Sequence, residues 1–298
     1  MINPRSTILE YKWEKRLKKK IDPKYKIMVV FDSSLLNIQT LKDLCTFGLP
    51  IILLRDPMLM PAPDTYTFLR EPNIEITSLN PELMRNPITY FANKVLNGEK
   101  INFGVYGAVS IIPKKQLNLY NLKSSDMIIT LSNEIANQFN QIYRSKIMKL
   151  KTMVNVVNER IIIMNDMYSR KIVNEDEKRI RIYLRKGLVG YISKCNRHAL
   201  STKYIPVDFK TYFYHDPFTA VYIDRHYLNG VNPPSRQAIP DEFMQVQYAY
   251  ALPVNLARLS HWDDGIVIAD KADTSDEFER RMLYNAITRY KKSVTLVL

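Results

Sequence analysis

The sequence has 298 residues, with 43 Lys and Arg against 30 Asp and Glu, a formal net charge of +13 and a pI near 9.5. A chain of this length can bury a substantial core, which excludes the small scaffolds that depend on disulfide bonds. Hydrophobic residues make up 46% and charged residues 24% of the chain, which excludes disordered and fibrous proteins.

Three features bear on the location of the protein. No apolar run approaches the roughly 20 residues that span a bilayer, so we expect no membrane partner. The first 20 residues carry charges throughout and lack the apolar core of a signal peptide. The cysteines Cys45 and Cys195 lie far apart without a CxxC partner, which predicts buried free thiols in a reducing compartment. We therefore expect a cytoplasmic protein, in the host cytoplasm if the source is viral.

Residues 1–25 form a predicted basic tail. Lys and Arg far outnumber Asp and Glu in this segment, and such a patch attracts phosphate backbones or acidic protein surfaces. Its apolar residues Ile8, Leu9, Trp13 and Leu17 recur at helical spacing. The tail therefore also fits a solvated helix, or one whose apolar face docks on the rest of the protein.

The first predicted elements after the tail form a βαβ unit. Apolar runs at Lys26–Phe31 and Pro50–Leu54 have the length of buried strands, and Leu35–Phe47 has the pattern of a crossover helix. Asp32 and Asp56 follow the two strands, at the edge where parallel sheets bind ligands. Either aspartate also suits a turn cap after its strand, so both interpretations stay open.

A second α/β set is predicted farther along, after a helix at Asn86–Gly98 and a connector at 99–125. Its strands are Met127–Leu131, Tyr248–Leu252, Gly265–Ala269 and Val294–Leu298, and its helices are Asn133–Lys149 and Asp276–Thr288. Between about 155 and 245, short runs rich in β-branched and aromatic residues predict a small all-β insert.

Familiar catalytic motifs are absent from the sequence. No G-x-x-x-x-G-K-[ST] occurs, so the chain by itself cannot build the usual backbone cradle for nucleotide phosphates. There is also no HExxH, no GxSxG and no cluster of Cys and His with the spacing of metal ligands. These patterns predict no metal site.

Several shorter motifs nevertheless follow one another in a specific order. They are Val29–Leu36, Ile51–Pro61, Asn86-Pro87-Ile88, Ile129–Asn133 with Asn140 and Arg144, Tyr248–Leu252, and Leu283–Lys292. This ordered set resembles the superfamily 1B DNA helicases of the Dda/RecD type over about residues 26–298. The most specific piece, Leu283–Lys292 (LYNAITRYKK), is very like the family pattern L-Y-x-A-x-T-R-A-K-K.

The resemblance implies an α/β fold with two motor domains. Residues 26–110 would be the C-terminal half of a RecA-like P-loop NTPase domain, and 111–125 would be the linker. Residues 126–298 would be a second RecA-like domain that carries an SH3-like β insert at about 155–245. The chain would then begin after the family's phosphate-binding motif, and a protein partner or self-association would cover the incomplete first domain.

The resemblance also assigns remnants of an ATPase site. Asp32 matches the acid that holds the magnesium ion, Asp56 matches the acid of the third motif, and Arg289 matches the arginine that stabilises the transferring phosphate. The glutamate expected after Asp32 is Ser33, and the glutamine expected to sense the γ-phosphate is Leu59. We therefore expect no ATP turnover by this chain alone, no cofactor, and Mg-ATP only if another chain completes the site. The alternative for Arg289 is a structural ion pair.

Nucleic-acid binding needs less exact geometry than hydrolysis, because basic and aromatic side chains suffice. The predicted contacts are polar and basic positions on one helix and in the stretch that follows it: Asn133, Asn140, Arg144, Lys146, Arg179 and Arg181. Solvated helix positions are the alternative for the first three. The segment Tyr212–His215 is either a stacking surface or part of the core of the insert.

The sequence thus supports three hypotheses. The first is a helicase-like protein that lacks its own ATPase activity and binds single-stranded DNA in replication or recombination, with a phage source suggested by composition. The second is a motor subunit of a split ATP-dependent DNA helicase that another chain completes. The third is a non-enzymatic docking or inhibitory factor whose basic tail meets an acidic partner.

Overall fold

The computed structural model describes most of the chain from residue 22 onward. The described residues are 22–31, 33, 36, 38–54, 74, 86–150, 157–165, 167–172, 179–184, 186–195, 204–211, 217–224, 243–257, 260–269 and 276–298. The tail up to residue 21, Asp32, Asp56, Leu59 and the segment Tyr212–His215 lie outside the described residues. The chain divides into two units, Met1–Lys100 with Asp273–Asn285 and Ile101–Ala272 with Ala286–Leu298.

The first unit contains the predicted βαβ arrangement. Strands β1 (Met28–Val30) and β2 (Ile51–Leu53) pair in parallel, and helix α1 (Ile38–Cys45) connects them. Met28 of β1 and Leu44 of α1 are both buried. The three elements lie where their apolar patterns predict them, and each is one to three residues shorter at each end.

The next helix, α2 (Pro87–Leu96), begins where the sequence predicts it. The Oδ1 of Asn86 accepts hydrogen bonds from the backbone N–H of Ile88 at 2.8 Å and of Thr89 at 3.4 Å. These bonds satisfy donors that a helix start leaves unpaired, and Pro87 has no N–H to satisfy. Gly98 follows the helix with a φ of +81°, which glycine adopts without strain.

The state of the two cysteines and the length of the helices bear on the expected location of the protein. Cys45 and Cys195 are free, as predicted. Cys45 is exposed at the end of α1 and Cys195 is half-buried, so the expectation of buried thiols is wrong. Within the described part of the chain, every helix is too short or too polar to cross a bilayer.

The second unit combines a central sheet, its helices and the predicted insert. In chain order its elements are β3 (Gly104–Tyr106), β4 (Val109–Ile112), α3 (Leu119–Ser124), β5 (Met127–Thr130), α4 (Asn133–Ile142), β6 (Arg160–Ile163), β7 (Met167–Ile172), β8 (Arg179–Leu184), β9 (Val189–Cys195), β10 (Tyr204–Thr211), β11 (Phe218–Asp224), β12 (Phe243–Met244), β13 (Val246–Tyr248), β14 (Ala251–Pro253), α5 (Val254–Ala257), β15 (Trp262–Ile268) and β16 (Tyr290–Val297). Helix α6 (Glu277–Ile287) precedes β16 and begins within the first unit.

The central sheet has six strands in the order β14-β5-β15-β16-β4-β3. All neighbours pair in parallel except β3 and β4, which form an antiparallel hairpin. Apolar runs such as Met127–Ile129 and Ile266–Ile268 are buried in this sheet, as expected for strands covered on both faces. On one face, Leu122 of α3 and Phe139 of α4 pack in one cluster with Ile128, Ile266 and Val297 of the sheet.

The stretch 99–125, predicted to be a connector, contains two strands and a helix. Strand β4 pairs in parallel with β16, and Val109 lies opposite Val294 at the far end of the chain. The connector prediction missed β4 because this four-residue segment becomes a strand here through a partner that is remote in sequence.

The short runs between 155 and 245, together with β13 just after them, form a second sheet in the order β12-β11-β10-β9-β6-β13. Strands β7 and β8 form a separate hairpin. The core of the second sheet includes Ile161, Ile192, Phe209 and Phe218, which are fully buried. Strand β6 enters this β-rich insert and β13 leaves it, and the two pair directly with each other. The strands through which the chain enters and leaves the insert therefore lie side by side.

Candidate nucleic-acid interface

Helix α4 and the turn that follows it carry four of the predicted contact residues, and α4 begins shortly after β5. The Oγ of Ser132 accepts a hydrogen bond from the N–H of Ile135 at 3.2 Å and caps the helix. The sequence predicts one helix as far as Lys149, but the structure changes to a π-helical turn at Tyr143–Ile147. Such turns are rare and widen the helix locally, which rotates the side chains that follow.

Asn140 lies inside the protein, with 4% of its surface exposed. Its Nδ2 donates to the carbonyl oxygens of Tyr248 and Ala251, both at 3.0 Å. Its Oδ1 accepts from the N–H of Tyr250 at 2.9 Å and of Ala251 at 2.8 Å. These four bonds use both donors and both lone pairs of the amide, so Asn140 joins α4 to the segment between β13 and β14.

Arg144 is buried as well and forms an ion pair. Its Nε donates to Oε1 of Glu159 at 2.5 Å, and the two side chains are 6% and 0% exposed. The guanidinium carbon lies 4.0 Å from the centroid of the Tyr248 ring, which adds a cation–π contact. The interpretation of Asn140 and Arg144 as solvated positions is therefore wrong, because helical spacing does not reveal partners in a distant strand.

Two stacked tyrosines complete this region. The rings of Tyr143 and Tyr250 lie 4.3 Å apart with an interplanar angle of 9°. The Tyr250 hydroxyl accepts from the N–H of Arg160 at 3.3 Å, and burial raises the pKa of Tyr250 well above its ordinary value. The Arg160 guanidinium in turn donates to the carbonyl oxygen of Asp126, directly before β5.

We call this set the root cluster: Asn140, Tyr143, Arg144, Glu159, Tyr248 and Tyr250. It lies where α4, the first and last strands of the insert and the central sheet meet. Its members come from three separate parts of the chain, and buried hydrogen bonds and an ion pair connect them. The root cluster therefore holds the insert in a defined position on the central sheet.

Two of the predicted contact residues on this helix are solvent-exposed. Asn133 is the first residue of α4, after the carboxyl end of β5, and Lys146 lies in the π-helical turn at the other end. Thirteen residues separate them, which corresponds to roughly 20 Å along a helix. The structure therefore leaves Asn133 and Lys146 available to a ligand and assigns Asn140 and Arg144 to the fold.

Arg289 lies in the turn between α6 and β16, where its Nη2 donates to the Thr288 hydroxyl at 3.2 Å. This turn is at the amino end of β16. Thr130 and Val297 both lie opposite Ile268 in the sheet, so the carboxyl edge is eight residues, or roughly 25 Å, from Arg289. The structure therefore separates Arg289 from Asn133 and places it at the edge of the sheet where the root cluster also lies.

His261 lies beside Arg289 at this edge. Partial burial lowers the pKa of His261 below its ordinary 6.5, and the positive charges of Arg289 and Lys291 lower it further. The imidazole of His261 therefore binds a proton more tightly in the unfolded chain than in the folded protein. The free energy of unfolding is for this reason unaffected by His261 above about pH 6.5, and it decreases as the pH falls below that value.

We expect Arg289→Gln to raise the pKa of His261, because one of the neighbouring positive charges disappears. An NMR titration of the imidazole protons measures this shift, and a His261→Gln spectrum assigns the signal among the four histidines. Lys123→Gln serves as the control, since Lys123 does not act on His261. An unchanged pKa in Arg289→Gln would show that the guanidinium does not face the imidazole.

The other predicted site residues are only partly described. Asp32 and Asp56 lie outside the described residues, whereas Ser33 is 1% exposed and its N–H donates to the Leu54 carbonyl oxygen at 3.0 Å. Arg179 and Arg181 lie in β8, but their side chains are outside the description. Among the residues that are described, no three His, Cys, Asp or Glu side chains lie close enough together to hold a metal ion.

Sequence reasoning assigned no site role to Glu159, to Tyr248 at the end of β13 or to Tyr250. A signal for Glu159 was present, because it is the sole acidic residue between positions 135 and 165 and stands in a strongly basic stretch. An isolated acid of this kind, next to the start of an apolar strand, is a candidate partner for a buried arginine. Tyr248 and Tyr250 belong to the motif Tyr248–Leu252, but nothing in that motif indicates that they contact α4 and the turn after it.

No family model matches the sequence, and no curated protein is significantly similar to it. Among solved structures, the chain is similar to the Pif1 helicase from Candida albicans, with a TM-score of 0.53, 11% identity, and coverage of 99% of this chain and 76% of that chain. Two Bacteroides Pif1 structures, one in complex with ADP-AlF3 and ssDNA and one bound to ssDNA, have TM-scores of 0.44 and identities of 11% and 12%. Each match covers 94% of this chain and 74% of the Bacteroides chain.

The likeness to the Candida protein shows a helicase-like α/β fold. It confirms the fold class predicted from the order of the motifs. The narrower assignment to the Dda/RecD type stays a prediction.

Proposed function

We propose that this protein binds single-stranded DNA on a helicase-like fold and does not hydrolyse ATP by itself. The observation that carries the proposal is the likeness of 99% of the chain to a helicase structure. The formal net charge of +13 supports it, because neutralising phosphates supplies most of the affinity for nucleic acid. Replication or recombination of DNA, in the cytoplasm of a phage-infected cell, is the proposed setting.

The sequence at the ATPase positions supports the second half of the proposal. Phosphoryl transfer requires a phosphate cradle, a bound metal, an oriented water and a charge-stabilising group. The chain has no Walker-type loop, Ser33 stands where the family has a glutamate, and Leu59 stands where it has a glutamine. Losing one stabilising group costs about 3–4 kcal/mol in the barrier, so losing several together removes measurable turnover. Mg-ATP would matter only if a partner chain completed the site.

The root cluster has a role in this proposal. A strand of DNA that crosses both the central sheet and the insert needs the two surfaces at a constant distance. Buried polar networks provide that constancy, because every member loses partners if the parts separate. Asn133 at the start of α4 and Lys146 in the π-helical turn after it are both exposed, and they are then candidate contacts along the path of the strand.

We expect tight binding of a labelled single-stranded oligonucleotide that weakens steeply as salt increases and does not respond to Mg-ATP. Fluorescence anisotropy of the labelled oligonucleotide measures this binding at each salt concentration, with and without Mg-ATP. The logarithm of the binding constant falls by about 0.7 per phosphate contact for each unit of log salt, so Lys146→Gln should reduce that slope by about 0.7.

Lys292→Gln is a matched control for this experiment, because that exposed lysine already pairs with Asp263 at 2.7 Å. It should leave the slope unchanged. Absence of binding at low salt, with the fold intact by circular dichroism, would contradict the proposal and favour a protein-docking role. ATP hydrolysis that begins on mixing with a partner chain would favour the split-helicase alternative.

A further inference from the structure

A basic and aromatic surface lies along the second unit, outside the predicted contact residues and the root cluster. It consists of Lys114, Lys115, Leu119, Tyr120 and Lys123, and we call it the α3 face. Tyr120 is 77% exposed and Leu119 is 47% exposed, and both are large apolar side chains. Residues 100–125 contain four lysines and no acidic residue, so this segment is strongly basic.

The fold gives the α3 face a defined position. The N–H of Lys114 donates to the carbonyl oxygen of Leu298 at 2.9 Å, which places the turn after β4 at the carboxyl edge of the central sheet. Asn133 follows β5 at the same edge. Sheets with parallel strands bind their ligands at this edge, because the strand ends and the loops after them leave a crevice there.

Local hydrogen bonds orient the exposed side chains of α3. Asn118 and Asn121 form a reciprocal capping box, with bonds of 3.0 and 3.1 Å, that fixes the start of the helix. Leu122 is buried against the sheet. At 100° per residue, Tyr120 lies about 160° around the helix from Leu122, so its ring faces outward, and Lys123 lies about 60° from Tyr120.

We infer that the α3 face binds a single strand of nucleic acid, with Tyr120 stacked on an unpaired base and Lys115 and Lys123 on the flanking phosphates. Bases offer an apolar ring face and phosphates offer negative charge, and this combination matches an exposed tyrosine between lysines. An acidic protein segment would match the lysines but would not need the ring. The inference rests on the proposed single-strand binding and names residues for it.

The test compares Tyr120→Ala with Tyr120→Phe in the anisotropy experiment on the full chain. Loss of stacking should weaken binding of an oligonucleotide about tenfold in Tyr120→Ala, whereas Tyr120→Phe keeps the ring and binds like the original protein. The salt slope should stay unchanged in Tyr120→Ala and fall by about 0.7 in Lys115→Gln and in Lys123→Gln. Tyr90→Ala is the matched control, because Tyr90 is also exposed but lies in the first unit.

Each outcome has one meaning. Weaker binding in Tyr120→Ala with unchanged melting temperature, together with normal binding in Tyr120→Phe, supports the inference. Equal binding by Tyr120→Ala and the original protein overturns it and leaves the proposed function intact. If polyglutamate competes as effectively as an oligonucleotide of equal charge, the α3 face recognises only negative charge, and this result also overturns the inference. No binding by the original protein overturns both the inference and the proposed function.

Discussion

Replacing Arg144 by methionine is expected to lower the free energy of unfolding by about 3–5 kcal/mol, the cost of leaving one member of a buried ion pair without its partner. Glu159 is fully buried, and its Oε1 accepts from Arg144 at 2.5 Å. Without Arg144 the carboxylate stays in a site that water does not reach. Methionine has a similar length, so the loss reflects charge and hydrogen bonding more than volume.

Urea unfolding followed by circular dichroism measures this effect. The double variant Arg144→Met with Glu159→Leu should recover most of the lost stability, because replacing both members of a buried pair by apolar residues is often neutral. Lys292→Met is the matched control, since it breaks an ion pair that lies on the surface and should leave unfolding unchanged. A variant Arg144→Met as stable as the original protein would contradict the assignment of this pair to the fold.

The second large effect is expected for Asn140→Leu. This change removes four hydrogen bonds and leaves two carbonyl oxygens and two N–H groups of the main chain unpaired at Tyr248, Tyr250 and Ala251. Each buried group left unpaired costs about 1–3 kcal/mol. Some of the groups will find water once the segment loosens, so we expect a total loss of about 4 kcal/mol.

Two measurements distinguish a loss of stability in Asn140→Leu from an effect on ligand binding. Urea unfolding gives the change in stability, and amide hydrogen exchange at Tyr250 and Ala251 should become faster in Asn140→Leu, because those N–H groups lose their acceptor. Asn133→Leu is the control, since Asn133 is exposed at the start of α4 and supports no such network. If Asn140→Leu instead kept its stability and lost only affinity for DNA, the side chain would serve the interface.

The root cluster also predicts how these changes combine. Arg144 contacts the Tyr248 ring, and Asn140 binds the Tyr248 carbonyl oxygen. Residues that share a partner do not lose stability independently. The variant that carries both Arg144→Met and Asn140→Leu should therefore lose less than the sum of the two single losses.

Local patterns in the sequence were enough to predict many of the elements and the class of fold. Continuous apolar runs such as Met127–Thr130 predict parallel strands, because strands covered on both faces have no polar side to alternate with. The Asn86-Pro87 start of α2 and the β-branched runs of the insert were equally readable, since capping and strand propensity act within a few residues. The order of short motifs then predicted a helicase-like fold.

The tertiary structure alone decided which polar residues serve the fold and which remain available to a ligand. In the sequence, Asn133, Asn140 and Arg144 are equivalent polar positions of one helix. Their difference arises from groups more than ten residues away, Glu159 and the backbone of Tyr248–Ala251, which bind two of the three. In the same way, only the sheet register shows that Arg289 and Asn133 lie at opposite edges of the sheet. The pairing with β16 likewise makes β4 a strand within a predicted connector. Periodicity reports which side of a helix is apolar, but the partner of a polar side chain depends on long-range contacts that no local pattern encodes.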